Sequence, residues 1–241
     1  MKTLMLVSAL ILGTSDKALA ADVAMVDAPV VSGVYDWSGF YVGIDAGYGI
    51  GTSGYEIHQS PDGLLLFSGP EPDGFLLGAH AGYNWHFGNG FVVGGEADLN
   101  YSASNGGDAM YQMTPTGAFP HSSYTMETEV KWTGSARARL GYAIDRLLPY
   151  VAAGVAAAGV ESDFNIAGYP ANPYHAYKDT YIGWTGGIGA EYALTDKVSI
   201  RAEYRYADYG SQDFATPGIS NSVATIDLQS HDVRFGLSYR F

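Results

Sequence analysis

Large apolar side chains recur at every second position through most of the chain, the spacing of strands whose successive residues point to opposite faces of a sheet. In residues 40–49, Phe40, Val42, Ile44, Ala46 and Tyr48 share one face, and Tyr41, Gly43, Asp45, Gly47 and Gly49 share the other. The same division into a greasy face and a small or charged face returns in residues 75–87, 91–101, 130–142, 181–192, 198–206 and 232–241. Residues 150–160 are alanine, glycine and valine apart from Tyr150, so composition does not separate their two faces. Together these runs predict eight strands.

The connections between them alternate in length. Short links fall at residues 88–90, 145–149 and 195–197, with Gly, Asn, Asp or Pro where tight turns need them. Long polar links cover residues 50–74, 102–128, 161–179 and 210–228. The pattern predicts an all-β fold, an eight-stranded antiparallel up-and-down transmembrane β-barrel with four long extracellular loops and three short periplasmic turns, and both termini on the short-turn, periplasmic side.

A water-soluble barrel would alternate in the same way with its apolar face inward, so the polar face has to decide between them. That face gathers Asp45, Glu96, Asp98, Glu191, Glu203 and Asp232 with Lys131, Arg137, Arg139, Arg201, Arg205, Arg234 and Arg240. Charges so nearly balanced can pair with one another, as burial requires, and they predict a lumenal charge network with His80 and His86 beside it. On the apolar face, aromatic residues concentrate near strand ends. Phe40, Trp85, Phe87, Phe91, Tyr142, Tyr192, Tyr239 and Phe241 fall at the short-turn end, and Tyr48, Phe75, Tyr101, Trp132, Trp184 and Tyr206 at the other. Two such girdles around an apolar belt are what the two headgroup boundaries of a bilayer select. Ordinary core aromatics of a β-sandwich are the alternative, and the alternating link lengths speak against it.

The first twenty residues stand apart. Lys2 precedes an apolar run over residues 4–12, and Ala18-Leu19-Ala20 has the small residues of a cleavage site, so residues 1–20 read as a signal peptide. Residues 21–36 then form a flexible periplasmic N-terminal segment, and residues 37–241 the barrel domain. Composition agrees, with 32 glycines, 19 tyrosines and no cysteine, so an exported domain must hold together by its hydrogen-bonded framework. A net charge of −13 with only 12 basic residues excludes the clustered cations of a nucleic-acid binder.

Residues 36–43, Asp-Trp-Ser-Gly-Phe-Tyr-Val-Gly, and residues 233–241, Val-Arg-Phe-Gly-Leu-Ser-Tyr-Arg-Phe, resemble the Omp25/Omp31 group of alphaproteobacterial outer-membrane proteins, which shares the porin-family, OmpA-like eight-stranded barrel. The resemblance implies an abundant surface antigen that contributes to envelope integrity, and for some members haemin binding. Phe235, Leu237, Tyr239 and Phe241 also resemble the C-terminal assembly signal of outer-membrane barrels, an aromatic last residue preceded by apolar residues at alternate positions. An exposed last strand is a template for strand addition, which suits recognition by the barrel-assembly machinery.

The expected partners are outer-membrane lipid and lipopolysaccharide and, during insertion, that machinery. No nucleic acid is expected, and the barrel is read as a monomer. An eight-stranded barrel is just wide enough for its own side chains, so a narrow porin-like channel is the alternative to a structural and surface-interaction role. His58, His121 and His175 fall in three different long links and are the haemin candidates. No two histidines share ligand spacing, so neither a metal site nor any other cofactor is expected. His231, Asp232 and Ser230 are neighbours along one strand and so point to alternate faces, which predicts no catalytic triad and no enzyme.

Overall fold

The computed structural model describes residues 35–59, 65–114, 117–166, 176–215 and 222–241. The signal peptide expected over residues 1–20, the segment up to residue 34 and His175 lie outside the described residues. The strands in chain order are β1 (Gly39–Gln59), β2 (Leu65–Ser68), β3 (Asp73–His86), β4 (Phe91–Thr114), β5 (Gly117–Tyr142), β6 (Leu147–Ile166), β7 (Ala176–Ala193), β8 (Val198–Ala215) and β9 (Ser222–Arg240). Every neighbouring pair is antiparallel, and β9 pairs back onto β1, so eight long strands close a barrel. The four-residue β2 is an addition that pairs with β1 and β4 beyond the end of β3.

The short links are hairpin turns made by the residues that suit them. Gly90 takes a φ of +88°, and the Phe87 amide donates to the Phe91 carbonyl at 2.8 Å. At the next turn Asp145 takes a φ of +52°, a conformation that aspartate tolerates better than most residues. In the third, Thr195 Oγ1 accepts from the amides of Lys197 and Val198.

The orientation of the two faces matches the expected inside-out barrel. Arg137, Glu203 and Arg205 are buried, whereas Leu140, Ile188 and Ile200 are exposed on the outer wall. An apolar outer wall around a charged interior is the arrangement of a barrel immersed in lipid. The strand whose faces could not be told apart also resolves, with Tyr150, Ala152, Ala156 and Ala158 inward and Val151 and Val155 outward. Ile188 lies midway between Trp184 and Tyr192 of the two girdles and is 61% exposed. Ile188→Arg is therefore expected to cost about 2–4 kcal/mol, read as a lower urea midpoint in phospholipid vesicles.

Two expectations need correction. The long links are largely strand, since β4 and β5 remain paired out to Thr114 and Gly117, and β1 and β9 out to Gln59 and Ser222. A strand needs about 9–11 residues to cross a bilayer, so these lengths carry the sheet well past it. The interior there holds Ser53, Ser102, Ser104, Thr128 and Ser162, which lack the greasy partner face that makes alternation visible in sequence. Lys131 is the second correction. It does not join the lumenal charges but sits in a β-bulge, where the β5–β6 ladder passes from Val130↔Val160 directly to Trp132↔Gly159. The extra residue shifts the alternation, so Val130 and Thr133 both point inward and the Lys131 side chain is 43% exposed beside Glu129.

Candidate functional site

The charged middle of the barrel interior is a bonded network. Register places Glu96↔Arg137, Glu191↔Arg201, Glu203↔Arg234 and Arg205↔Asp232 directly opposite on neighbouring strands, but of these Glu96–Arg137 is the pair that bonds, whereas Arg201 and Arg205 reach across the lumen to Asp45 and Asp98. Opposite charges at such positions stabilise the pairing. Glu96 is the hub, accepting from Arg137 Nη2 at 2.7 Å, Arg201 Nη1 at 2.6 Å, Arg139 Nη1 at 3.2 Å and Tyr41 Oη at 2.9 Å. Arg201 also grips Asp45 with Nε and Nη2, both at 3.0 Å. His80 bridges that same carboxylate (2.7 Å) to Ser238 Oγ (2.8 Å).

Around this hub, Glu203 accepts from Arg137 Nη1 (2.7 Å), Arg205 Nε (3.0 Å) and Tyr150 Oη (2.8 Å). Arg139 reaches Glu191 at 3.0 Å and lies over the Tyr150 ring, 4.0 Å from its centroid. Asp98 accepts from Arg205 Nη1 at 2.9 Å, and Arg234 Nη2 donates to Asp232 at 2.7 Å. Space for these long side chains comes from glycines facing them, since a methyl at Gly43 would collide with the His80 ring and one at Gly236 with Asp45 and Arg201. Beyond the charges, toward the long-hairpin end, Leu76, Val130, Tyr209 and Leu228 fill the lumen and leave a cavity of ≈ 20 Å³, room for about one water.

The short-turn end is closed by residues 35–37, so Tyr35 and Asp36, expected within the flexible segment, belong instead to the barrel. Tyr35 and Trp37 are buried with Val92, Ala143, Leu148 and Ala193. Trp37 Nε1 donates to the Asp145 carbonyl at 3.1 Å, and its backbone amide donates to His86 Nδ1 at 3.3 Å. Arg240 donates to Tyr35 Oη (3.0 Å) and the Asp36 carbonyl (2.9 Å), with its guanidinium 4.7 Å from the Trp37 ring. Arg240 thus belongs to this plug, while the other lumenal arginines belong to the charge layer. The Ser38 amide, 2.9 Å from Asp36 Oδ1, holds the Asp36 carboxyl below the ordinary aspartate range. The sequence does not mark the plug, because Tyr35 and Trp37 fall out of phase with Phe40, Val42 and Ile44 on the greasy face of the first strand.

Of the other expected residues, Phe235, Leu237, Tyr239 and Phe241 all lie on the outer wall of β9 or just past its end, and Phe241 packs against Phe40 and Tyr239. The haemin candidates are not in irregular loops where described: His58 stands in β1 opposite Val223, and His121 lies within β5. His231 is on the outer wall, 2.7 Å from Tyr204 Oη. Among the described residues no three His, Cys, Asp or Glu side chains are grouped to hold a metal ion.

Residues 13–241 match the family model described as outer membrane protein beta-barrel domain. This chain belongs to that family. It is 36% identical over 237 residues to the 31 kDa outer-membrane immunogenic protein of Brucella melitensis, covering 93% of each chain. It is 30% identical over 246 residues to the 25 kDa outer-membrane immunogenic protein of Brucella abortus, covering 100% of this chain and 99% of that one. Among solved structures it is similar to the outer membrane protein OprG of Pseudomonas aeruginosa, with a TM-score of 0.48 and 11% identity over 85% of this chain and 97% of that one. The Omp25/Omp31 resemblance is thereby borne out. In this outer-membrane β-barrel the paired lumenal charges are the inner support of a wall whose outer face meets lipid.

Proposed function

We propose that this barrel strengthens the outer membrane and presents its long hairpins outside the cell as an interaction and antigenic surface, with the short turns and both termini in the periplasm. The observation that carries this reading is the filled interior. Charges bonded across the lumen, the layer of Leu76, Val130, Tyr209 and Leu228 above them and the Trp37 plug below fill the described interior with side chains, which supports rigidity as what the interior supplies. The names of the Brucella relatives, both immunogenic outer-membrane proteins, support surface presentation. The proposed partners are outer-membrane lipid and lipopolysaccharide along the aromatic-belted wall, with the assembly machinery engaging β9 during insertion. The barrel is proposed to act as a monomer, without catalysis and without a cofactor.

Protease treatment of whole cells, followed by mapping of the cuts, tests the sidedness. Cleavage is expected only in residues 50–74, 102–128, 161–179 and 210–228, and a cut at a short turn would reverse the orientation. Planar-bilayer recording tests the channel alternative, and the intact chain is expected to give no reproducible conductance steps. Haemin titration of the refolded chain, with His58, His121 and His175 replaced singly, tests the binding that the resemblance implies.

A further inference from the structure

Cations are scarce outside this lumen, and the few that remain are not scattered. Of the chain's 12 lysines and arginines, Lys2 and Lys17 precede the barrel, while Arg137, Arg139, Arg201, Arg205, Arg234 and Arg240 are buried inside it. Arg146 and Lys197 lie at the short turns. Only Lys131 and Lys178 are left for the whole long-hairpin half, and the fold brings them to one groove of ≈ 290 Å³ on the outer wall.

Three structural features build this groove. The bulge in β5 turns Lys131 out of the lumen, where unbroken alternation would have placed it. Glu129, Glu161 and Lys178 stand directly opposite one another on β5, β6 and β7, with Lys178 Nζ 2.8 Å and Lys131 Nζ 4.0 Å from Glu161 and Lys131 also bonded to Glu129. The Lys178 hydrogen bond holds the Glu161 carboxyl below the ordinary glutamate range. Beneath them the Trp132 indole lies across Gly159, where any side chain would collide with it, and so forms a flat floor.

The chemistry of a ligand follows from these groups and their depth. Trp132 belongs to the aromatic girdle of the long-hairpin end, which marks the headgroup boundary. An ammonium has three donors, and the glutamates do not exhaust those of Lys131 and Lys178; Lys131 follows Glu129 toward the membrane, Lys178 stands level with Glu161, and Asp179, Glu127 and Asp163 continue the acidic surroundings. Donors to a phosphate, carboxylates to accept sugar hydroxyls and an aromatic floor for the apolar face of a sugar ring occur together here. We propose that the groove docks the phosphorylated sugar headgroup of an outer-leaflet glycolipid, with Lys131 and Lys178 on the phosphate and Trp132 beneath the ring. This rests on the outward orientation of the long hairpins and on the lipid partner given above.

The test refolds the full chain into phosphatidylcholine vesicles containing diphosphorylated lipid A, extracts it in mild detergent and counts retained lipid A by mass spectrometry. The wild-type chain is expected to retain it, the K131A/K178A double variant to bind about thirty-fold more weakly, and K131R/K178R to recover most of the difference. Dephosphorylated lipid A is expected to be lost on extraction. Equal retention by K131A/K178A, or of the dephosphorylated lipid, overturns this site while leaving the lipid partner intact. A wild-type chain that retains no lipid A overturns the partner reading itself.

Discussion

Glu96→Ala is expected to destabilise the barrel by about 3–5 kcal/mol, seen as a large fall in the urea midpoint in phospholipid vesicles. The magnitude follows from what the change leaves behind. Arg137, Arg139 and Arg201 each lose an ionic partner, and the Tyr41 hydroxyl loses its acceptor, at positions shielded from bulk water. Breaking one member of a buried ion pair costs far more than the net worth of that pair, because the remaining charge keeps its desolvation penalty. A double-mutant cycle with Arg137 should show coupling of roughly 0.5–3 kcal/mol, since the two carboxylate-bonded nitrogens of Arg137 also tie Glu96 to Glu203. A loss under about 1 kcal/mol for Glu96→Ala would mean that water reaches these groups freely. The channel alternative would then gain the hydrated lumen it requires.

Trp37→Ala is expected to have a comparable local effect and a smaller global one. Removing a fully buried tryptophan costs about 3–5 kcal/mol, and here the cost includes the Nε1 hydrogen bond to Asp145 and the stacked Arg240. Trp37 precedes the first strand, so the chain can meet that cost by releasing residues 35–37 without opening the barrel. The variant should therefore keep its urea midpoint within about 1 kcal/mol of the parent while its N-terminal segment becomes open to protease and the amides near Val92 and Leu148 exchange faster. A global fall as large as that of Glu96→Ala would instead make the plug a cornerstone of barrel closure.

The wall of this barrel was legible because a period of two leaves a strong mark wherever one face is greasy. Ile44, Leu99, Ile188 and Phe235 on one face and Asp45, Asp98, Gly187 and Gly236 on the other announce strands, and the alternation of link lengths orders them. The charge network was legible as a set of residues, though not as pairs. Which arginine meets which carboxylate depends on register and on side-chain reach across the lumen, as when Arg201 on β8 spans to Asp45 on β1. The outer halves of the hairpins were not legible, because inward serine and threonine mixed with an occasional inward apolar residue such as Ile226 or Leu228 leave no consistently greasy face until the backbone ladder is seen.

By itself the sequence determined the number of long strands, the face that all of them except residues 150–160 turn to lipid and, Lys131 apart, the charged residues of the lumen. These follow from side-chain identity at fixed spacing, which needs no knowledge of neighbours. Tertiary structure alone decided the Trp37 plug, the reach of the sheet beyond the membrane and the place of Lys131. Each depends on contacts between distant segments or on one unmatched residue in a ladder, and a single inserted position turns every side chain on its far side to the opposite face.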